Sequence, residues 1–345
     1  MGKANIKFAL NFAAPCNFDY ARAQGYTPEV AEFSTEELAR YADYIKFILK
    51  RHLYEDRRVV LNVHGDDMLT QLGSFIDFSA RLNAIVDYFS IQTNAVGLQR
   101  NKALLLTLWK MLGQRLAVDI CCDFAGSDDH VDAARYNLRW LFARGMGAHC
   151  VVQLTPANID SILDTFEEVR LLRCKYPQFV CELSVDYTSQ ETVDFDESAI
   201  ATLLETIRHE LRVHPALEGA FVYCPSLAAR TAPCGNPTIH YPLVSMTDGG
   251  VIYPCYDVPF MTDNARDSYS IGSVFEDFEL LEARRAGVLN QCKDFGTAQG
   301  NLCCSVPWDP VGGMLSLQPT YQHCVMHRLL TEYLPFRSNF YRTID

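Results

Sequence analysis

The sequence has no long apolar run. None of its hydrophobic stretches reaches the roughly 18 residues that a membrane-crossing helix needs, which excludes a helical membrane span. The opening residues MGKANIKFAL carry neither the apolar region nor the cleavage site of a secretory signal, so a cytoplasmic location is the expectation. Positive charge is also scarce: 30 Lys and Arg stand against 42 Asp and Glu, for a formal net charge of -12. A surface that grips a nucleic-acid backbone needs clustered Lys and Arg. Nucleic acid is therefore not an expected partner, and a peptide or small molecule fits better.

What is present is a globular composition. The 345 residues are 49% hydrophobic and 21% charged, enough for one large α/β domain and a smaller one. Thirteen cysteines in a chain of this size without an export signal are expected to be reduced thiols, some buried and some on metal. Six of them, Cys234, Cys255, Cys292, Cys303, Cys304 and Cys324, fall in the last third.

Up to about residue 213 the chain alternates strand and helix patterns. KFALNFA reads as a first strand that runs into a loop holding Cys16. Ser34-Thr35-Glu36-Glu37 has the form of a capping box and opens an amphipathic helix to about His52. Strands are expected over Val59–Val63, Tyr88–Thr93, Leu116–Cys121, Cys150–Leu154 and Cys181–Val185, each followed by a helical pattern. Six such units imply a parallel sheet with helices on its outer face, a partial (β/α)6 TIM-like barrel. Its working face would lie at the strand C-termini.

Polar residues gather at those ends: His64, Gly65, Asp66 and Asp67; Gln92, Thr93 and Asn94; Asp119 and Asp123; Gln153 and Thr155; Asp186. Asp, Asn and Thr after a strand are also ordinary turn and helix-cap residues. A divalent ion held by His64, Asp66, Asp119 and Asp123 could activate water, which makes a metal-dependent hydrolase one alternative. The shortage of histidine near the strand ends speaks against a catalytic zinc there.

Taken in order, these loops resemble the radical S-adenosylmethionine (radical SAM) superfamily. That family places a CxxxCxxC motif after its first strand, where three thiolates hold a [4Fe-4S] cluster and SAM binds the remaining iron. The matching positions here are Cys16, Tyr20 and Ala23. His64-Gly65-Asp66-Asp67-Met68-Leu69 resembles the GGEP turn that meets the SAM amino group, with Asp66 in the place of the Glu. Thr93-Asn94-Ala95 resembles the TNG that ends the third strand. Asp132-Ala133-Ala134-Arg135 resembles a later motif whose arginine, here Arg135, would face the SAM carboxylate.

Beyond Glu218 the alternation stops. Pro225 to Pro237 is rich in Pro, Ala and Cys, a plausible joint, which places domains at 1–222 and 223–345. Fifteen residues separate Cys234 from Gly250 and four separate Gly250 from Cys255, with Asp248-Gly249-Gly250 as a hairpin turn. The segment resembles the opening of the SPASM domain, a cysteine-rich auxiliary Fe–S module of peptide-modifying radical SAM enzymes, and Ile271-Gly272-Ser273-Val274 resembles the I-G-N-V that follows it. By that resemblance Cys234, Cys255 and one of Cys303 or Cys304 would serve one site; Cys292, the other of that pair and Cys324 would serve a second. Phe295 occupies a further cysteine position. Loss of at least one cluster is expected, since four thiolates per cluster is the rule.

The resemblance implies a radical SAM/SPASM-like protein of peptide modification. With Tyr20 and Ala23 in place of thiolates, the SAM-cleaving cluster and SAM itself are not expected, and one auxiliary Fe–S cluster, or zinc, is the expected cofactor. The expected role is non-catalytic, with a peptide or a catalytic radical SAM homologue as partner. The alternative within the family is an active enzyme with atypical ligands around Cys16.

Overall fold

A computed structural model describes residues 5–11, 34–51, 58–64, 72–93, 98–122, 124, 129–154, 162–177, 179–185, 197–217, 220–223, 239–245, 249–253, 267, 270–285, 308–309 and 314–315. The alternation read from the sequence is there in order. It runs β1 (Asn5–Asn11), α1 (Thr35–Arg51), β2 (Arg58–His64), α2 (Leu72–Leu82), β3 (Tyr88–Thr93), α3 (Leu98–Leu112) and β4 (Leu116–Cys121). It continues with α4 (Asp129–Phe142), β5 (Gly147–Leu154), α5 (Ile162–Lys175), β6 (Cys181–Val185), α6 (Glu197–Val213) and β7 (Phe221–Tyr223). The short β7, parallel to β6, adds a strand beyond the six expected units.

α1 begins where its capping box places it. The Ser34 N–H donates to Glu37 Oε2 at 2.8 Å and the Glu37 N–H donates to Ser34 Oγ at 3.1 Å, so two N-terminal amides gain acceptors. Glu36 and Glu37 in the first turn and Lys50 and Arg51 in the last complement the helix dipole. Leu38, Tyr41, Ala42, Ile45 and Ile48 recur on its buried face.

The strands form one sheet in the order β10-β9-β8-β1-β2-β3-β4-β5-β6-β7, where β8 is Ile239–Ser245, β9 is Val251–Tyr253 and β10 is Gly272–Ser273. β1 through β7 pair in parallel, and β8 joins β1 in parallel on the other side. The sheet curls into a half-barrel with helices outside, an α/β partial TIM-like barrel. One contact gives the curl directly. Val60 on β2 packs against Tyr88 and against Val180, which precedes β6. In a flat sheet the four strand steps from β2 to β6 would span about 19 Å, too far for two valines to touch.

The expected boundary at 222/223 falls inside β7, before its last residue, and the pairing of β8 with β1 from Ile6 to Asn11 ties the two portions together. The glycine turn forms as read: β8 and β9 are antiparallel, and Gly249 and Gly250 have φ of 63° and 84°. A helical run over 278–285 follows β10. It lies against α1, with Phe278 at 5.3 Å from the Tyr44 ring and 5.5 Å from the Phe47 ring. Arg40 donates to the carbonyls of Val274 and Glu276, and Arg51 pairs with Glu279. The Tyr44 hydroxyl donates to the buried Glu282 at 2.9 Å, and Arg285 holds the same carboxylate. Burial first, and then the neighbouring Glu282 charge, push the Tyr44 phenol above its ordinary range.

A β-carbon at Gly250 would lie 2.7 Å from Val274 Cγ2 and 3.1 Å from the Tyr41 hydroxyl, while one at Gly249 would meet nothing within 4 Å. Gly249→Ala should therefore cost only the left-handed backbone penalty of about 1 kcal/mol. Gly250→Ala should cost about 3 kcal/mol, because overpacking adds to that penalty; paired urea melts of the two variants measure the difference. The turn before the final helical run should also respond to acid. Glu276 accepts from the Ser273 N–H and pairs with Arg284, and these hold its carboxyl below the usual range, the Ser273 amide being the larger cause. A lowered folded-state pKa gives stability that is present above the ordinary glutamate value of about 4.3 and lost as pH falls through the folded value. Amide exchange over 270–276, corrected for intrinsic rates, should accelerate below that range in the wild type and lose this dependence in Glu276→Gln.

Candidate functional site

The two faces of the sheet differ in kind. Phe8 and Leu10, Leu61 and Val63, Phe89 and Ile91, Val118 and Ile120, Cys150 and Val152, and Leu183 are buried with helix residues such as Phe75, Leu108, Leu138 and Phe166 in one core. The residues between them face the hollow of the half-barrel: Asn62 on β2, Ser90 and Gln92 on β3, Asp119 and Cys121 on β4, His149 on β5 and Glu182 on β6. Parallel strands buried on both sides are usually continuous hydrophobic runs. The polar residues on this face, interspersed with apolar ones such as Val60 and Val151, mark it as kept for something besides packing. At the N-terminal end of the hollow, Val60, Tyr88 and Val180 close the floor, with Arg58 stacked over the Tyr88 ring.

The centre of this face is a row of three polar residues. Gln92, Asp119 and His149 sit side by side in register on β3, β4 and β5. Asp119 Oδ1 lies 2.7 Å from His149 Nδ1, and Oδ2 accepts from the Ser90 hydroxyl. The two side chains are 15% and 5% exposed, so the pair sits in a medium where charge interactions are stronger than in water. Gln92 Nε2 donates to Cys121 Sγ beside it. Just past β4, Phe124 has φ of 56° with its ring fully buried. A bulky residue in that left-handed region marks a constrained turn at the working end of the sheet.

Asp119 and Gln92 were identified from the sequence; Ser90, His149 and Glu182 were not. The missing signal was the alternation itself, F-S-I-Q-T, V-D-I-C and C-E-L-S, read for its polar phase as well as its apolar one. Of the residues assigned to a SAM cleft, Thr93 is buried on the helix-facing side, in register with Ile120. Arg135 lies on α4 with its Nε 3.2 Å from Glu168 Oε2 on α5, and Arg139 reaches the other oxygen of that carboxylate at 3.4 Å. The trio and these two residues therefore occupy different places. Gly65, Asp66, Asp67, Asn94, Asp123, Thr155 and Asp186 lie outside the described residues, as do Cys16, Cys234, Cys255, Cys292, Cys303, Cys304 and Cys324. Of the four groups in the hydrolase alternative, only the Asp119 side chain is described. Among the described residues no group of three or more His, Cys, Asp and Glu is placed to hold a metal ion.

The curled sheet, the helices outside it and the appended hairpin can be compared with known proteins. Solved structures of anSMEcpe, an anaerobic sulfatase-maturating enzyme of the radical SAM/SPASM type, superpose along nearly the whole chain. The native protein with bound AdoMet and Cp18Cys peptide aligns with a TM-score of 0.63 at 14% identity, covering 99% of this chain and 98% of that one. A His-tagged form with bound AdoMet gives 0.62 at 15% identity, covering 95% and 96%. The chain has the radical SAM fold. No family profile and no curated protein matches the sequence. The radical SAM superposition extends into the region that resembles a SPASM module, where β8 and β9 form the expected hairpin.

The donor set after β1 does not fit the cluster that this fold implies. Cys16 supplies one thiolate, Tyr20 a hard oxygen and Ala23 nothing, whereas a [4Fe-4S] cluster is held by thiolates. Cys150 and Cys181 are opposite one another on β5 and β6, both buried, and Cys150 donates to the Cys122 carbonyl at 3.0 Å. Burial, and then the Cys181 thiol, push the Cys150 thiol well up.

A raised thiol pKa leaves less thiolate at a given pH. Iodoacetamide at about pH 8 should alkylate the exposed Cys174 and leave the buried Cys150 intact until denaturant is added. Peptide mass mapping of native and unfolded samples checks the order.

Proposed function

We propose that this protein is a radical SAM/SPASM-like binding protein that has lost the SAM-cleaving cluster and holds a peptide, or a peptide-bearing catalytic homologue, along the polar hollow of its half-barrel. The observation that carries the reading is the pair Tyr20 and Ala23 at positions where the resembled motif has cysteine, within a chain that otherwise superposes on anSMEcpe over 99% of its length. The lining of Asn62, Gln92, Asp119 and His149 supports it, since alternating donors and acceptors suit a polypeptide backbone. So does the Cp18Cys peptide held by the anSMEcpe structure. In this reading Gly65, Asp66, Thr93, Asn94 and Arg135 are relics of a SAM cleft. The C-terminal cysteines Cys234, Cys255, Cys292, Cys303, Cys304 and Cys324 hold at most one auxiliary Fe–S cluster or a zinc ion.

Anaerobic reconstitution with iron and sulfide tests the reading. The expected product carries iron for one cluster or none, loses it in Cys234→Ser with Cys255→Ser, keeps it in Cys16→Ala, and releases no 5′-deoxyadenosine from SAM under reductant. Release of 5′-deoxyadenosine that disappears in Cys16→Ala would establish the active enzyme with atypical ligation instead. Zinc or another divalent ion in chelator-free preparations, bound through Asp119, would favour the hydrolase.

A further inference from the structure

The inner face of the half-barrel is not uniformly open. Asn62, Ser90, His149 and Glu182 are buried, with exposures of 7%, 4%, 4% and 8%, whereas Gln92, Asp119, Cys121 and Val151 are half-buried. The four more open residues adjoin one another. Gln92 is in register with Asp119 across β3 and β4, and Cys121 with Val151 across β4 and β5. Gln92 Nε2 also donates to Cys121 Sγ at 2.7 Å, which joins the two rows. We propose that this patch receives one side chain of the bound peptide, that the side chain is uncharged and apolar or thiol-bearing, and that Cys121 and Val151 set that preference. The inference rests on the proposal that the hollow is the peptide site.

The chemistry of the patch selects against charge. Val151 offers two methyl groups and Cys121 a polarisable sulfur, and both surfaces gain when an apolar or sulfur-bearing group covers them. Asp119 is the one acidic member, and each of its oxygens has a partner: Oδ1 meets His149 Nδ1 at 2.7 Å, and Oδ2 accepts from the Ser90 hydroxyl. A carboxylate entering here would face Asp119 and, beside Val151 on the next strand, Glu182. It would lose hydration without gaining a cation, since Arg58 is stacked over Tyr88 at the other end of the hollow. A lysine or arginine would have to compete with the two partners that already hold Asp119.

The patch is also separable from the core. Ile120, Cys150 and Val152, the chain neighbours of Cys121 and Val151, carry the packing against the helices from the opposite face. Substitutions at Val151 therefore change the hollow before they change the core.

The experiment is a selection of short random peptides, under reducing conditions, on the full-length protein. Enriched peptides should share an apolar residue or cysteine at one position and exclude Asp and Glu there. Each, added as a synthetic peptide, should slow alkylation of Cys121 by iodoacetamide about tenfold or more, while Cys174, exposed on α5, reacts as before. Val151→Phe, which fills the patch, should weaken the same peptides about tenfold or more. Enriched peptides that leave Cys121 reacting at its original rate, or that carry Asp or Glu at the shared position, overturn this inference and leave peptide binding standing. Enrichment of no peptide overturns both. The Cys121 footprint on the wild type decides the matter even if Val151→Phe proves unstable.

Discussion

The strict two-residue period of a β-strand is the constraint on which the rest of this molecule depends. Every residue that turns toward the helices forces its neighbours toward the hollow. On β3 and β4 the helix-facing set is Phe89, Ile91, Val118 and Ile120, and their burial against α2, α3 and α4 supplies the core. The same register then leaves Ser90, Gln92, Asp119 and Cys121 no place except the inner face. A slip of one residue would exchange the two sets, putting carboxylate and amide among the phenylalanines. Core packing and site geometry are thus one specification, and Asp119 meets His149 because Val118 and Ala148 are where the core needs them.

Curvature converts that face into an enclosure. The contact of Val60 with Val180 spans the hollow at its base, so polar groups above it sit in a partly enclosed space where a hydrogen bond to an ionised group is worth more than at a surface. The contrast with the outer layer is instructive. Glu167 and Arg170 form a tight pair on α5, but both stand in solvent, and such pairs contribute little. Asp119 and His149 differ because water is largely kept away.

Much of the framework was legible in the sequence. The Ser34 capping box, the limits of β3, β4 and β6, and the turn at Gly249 and Gly250 were all readable because each is fixed by local chemistry: a side-chain cap, a run of β-branched and aromatic residues, a pair of residues at positive φ. The placement of β8 beside β1 was not, since nothing local in IHYPLVS names a partner so far back in the chain. β7 escaped notice because three residues are too few to show a period. Of the site, Asp119 and Gln92 stood out as polar residues near strand ends. His149 did not, lying early in β5 and reaching Asp119 only through the stagger of neighbouring strands. The partner of Arg135 was not legible either: the folded chain sets its guanidinium against Glu168 of the neighbouring helix, a contact that nothing local in the sequence announces.

The late arrival of β8 bears on how the chain is made. On a ribosome, β1 emerges first and finds β2 soon afterwards, yet its other edge stays bare until Ile239–Ser245 has been synthesised. Through the synthesis of everything from β2 to β7 the nascent chain therefore carries an unpaired strand edge of the kind that recruits other chains. Phe8 and Leu10 sit on that strand, so the exposed edge is also an apolar one until β8 closes it.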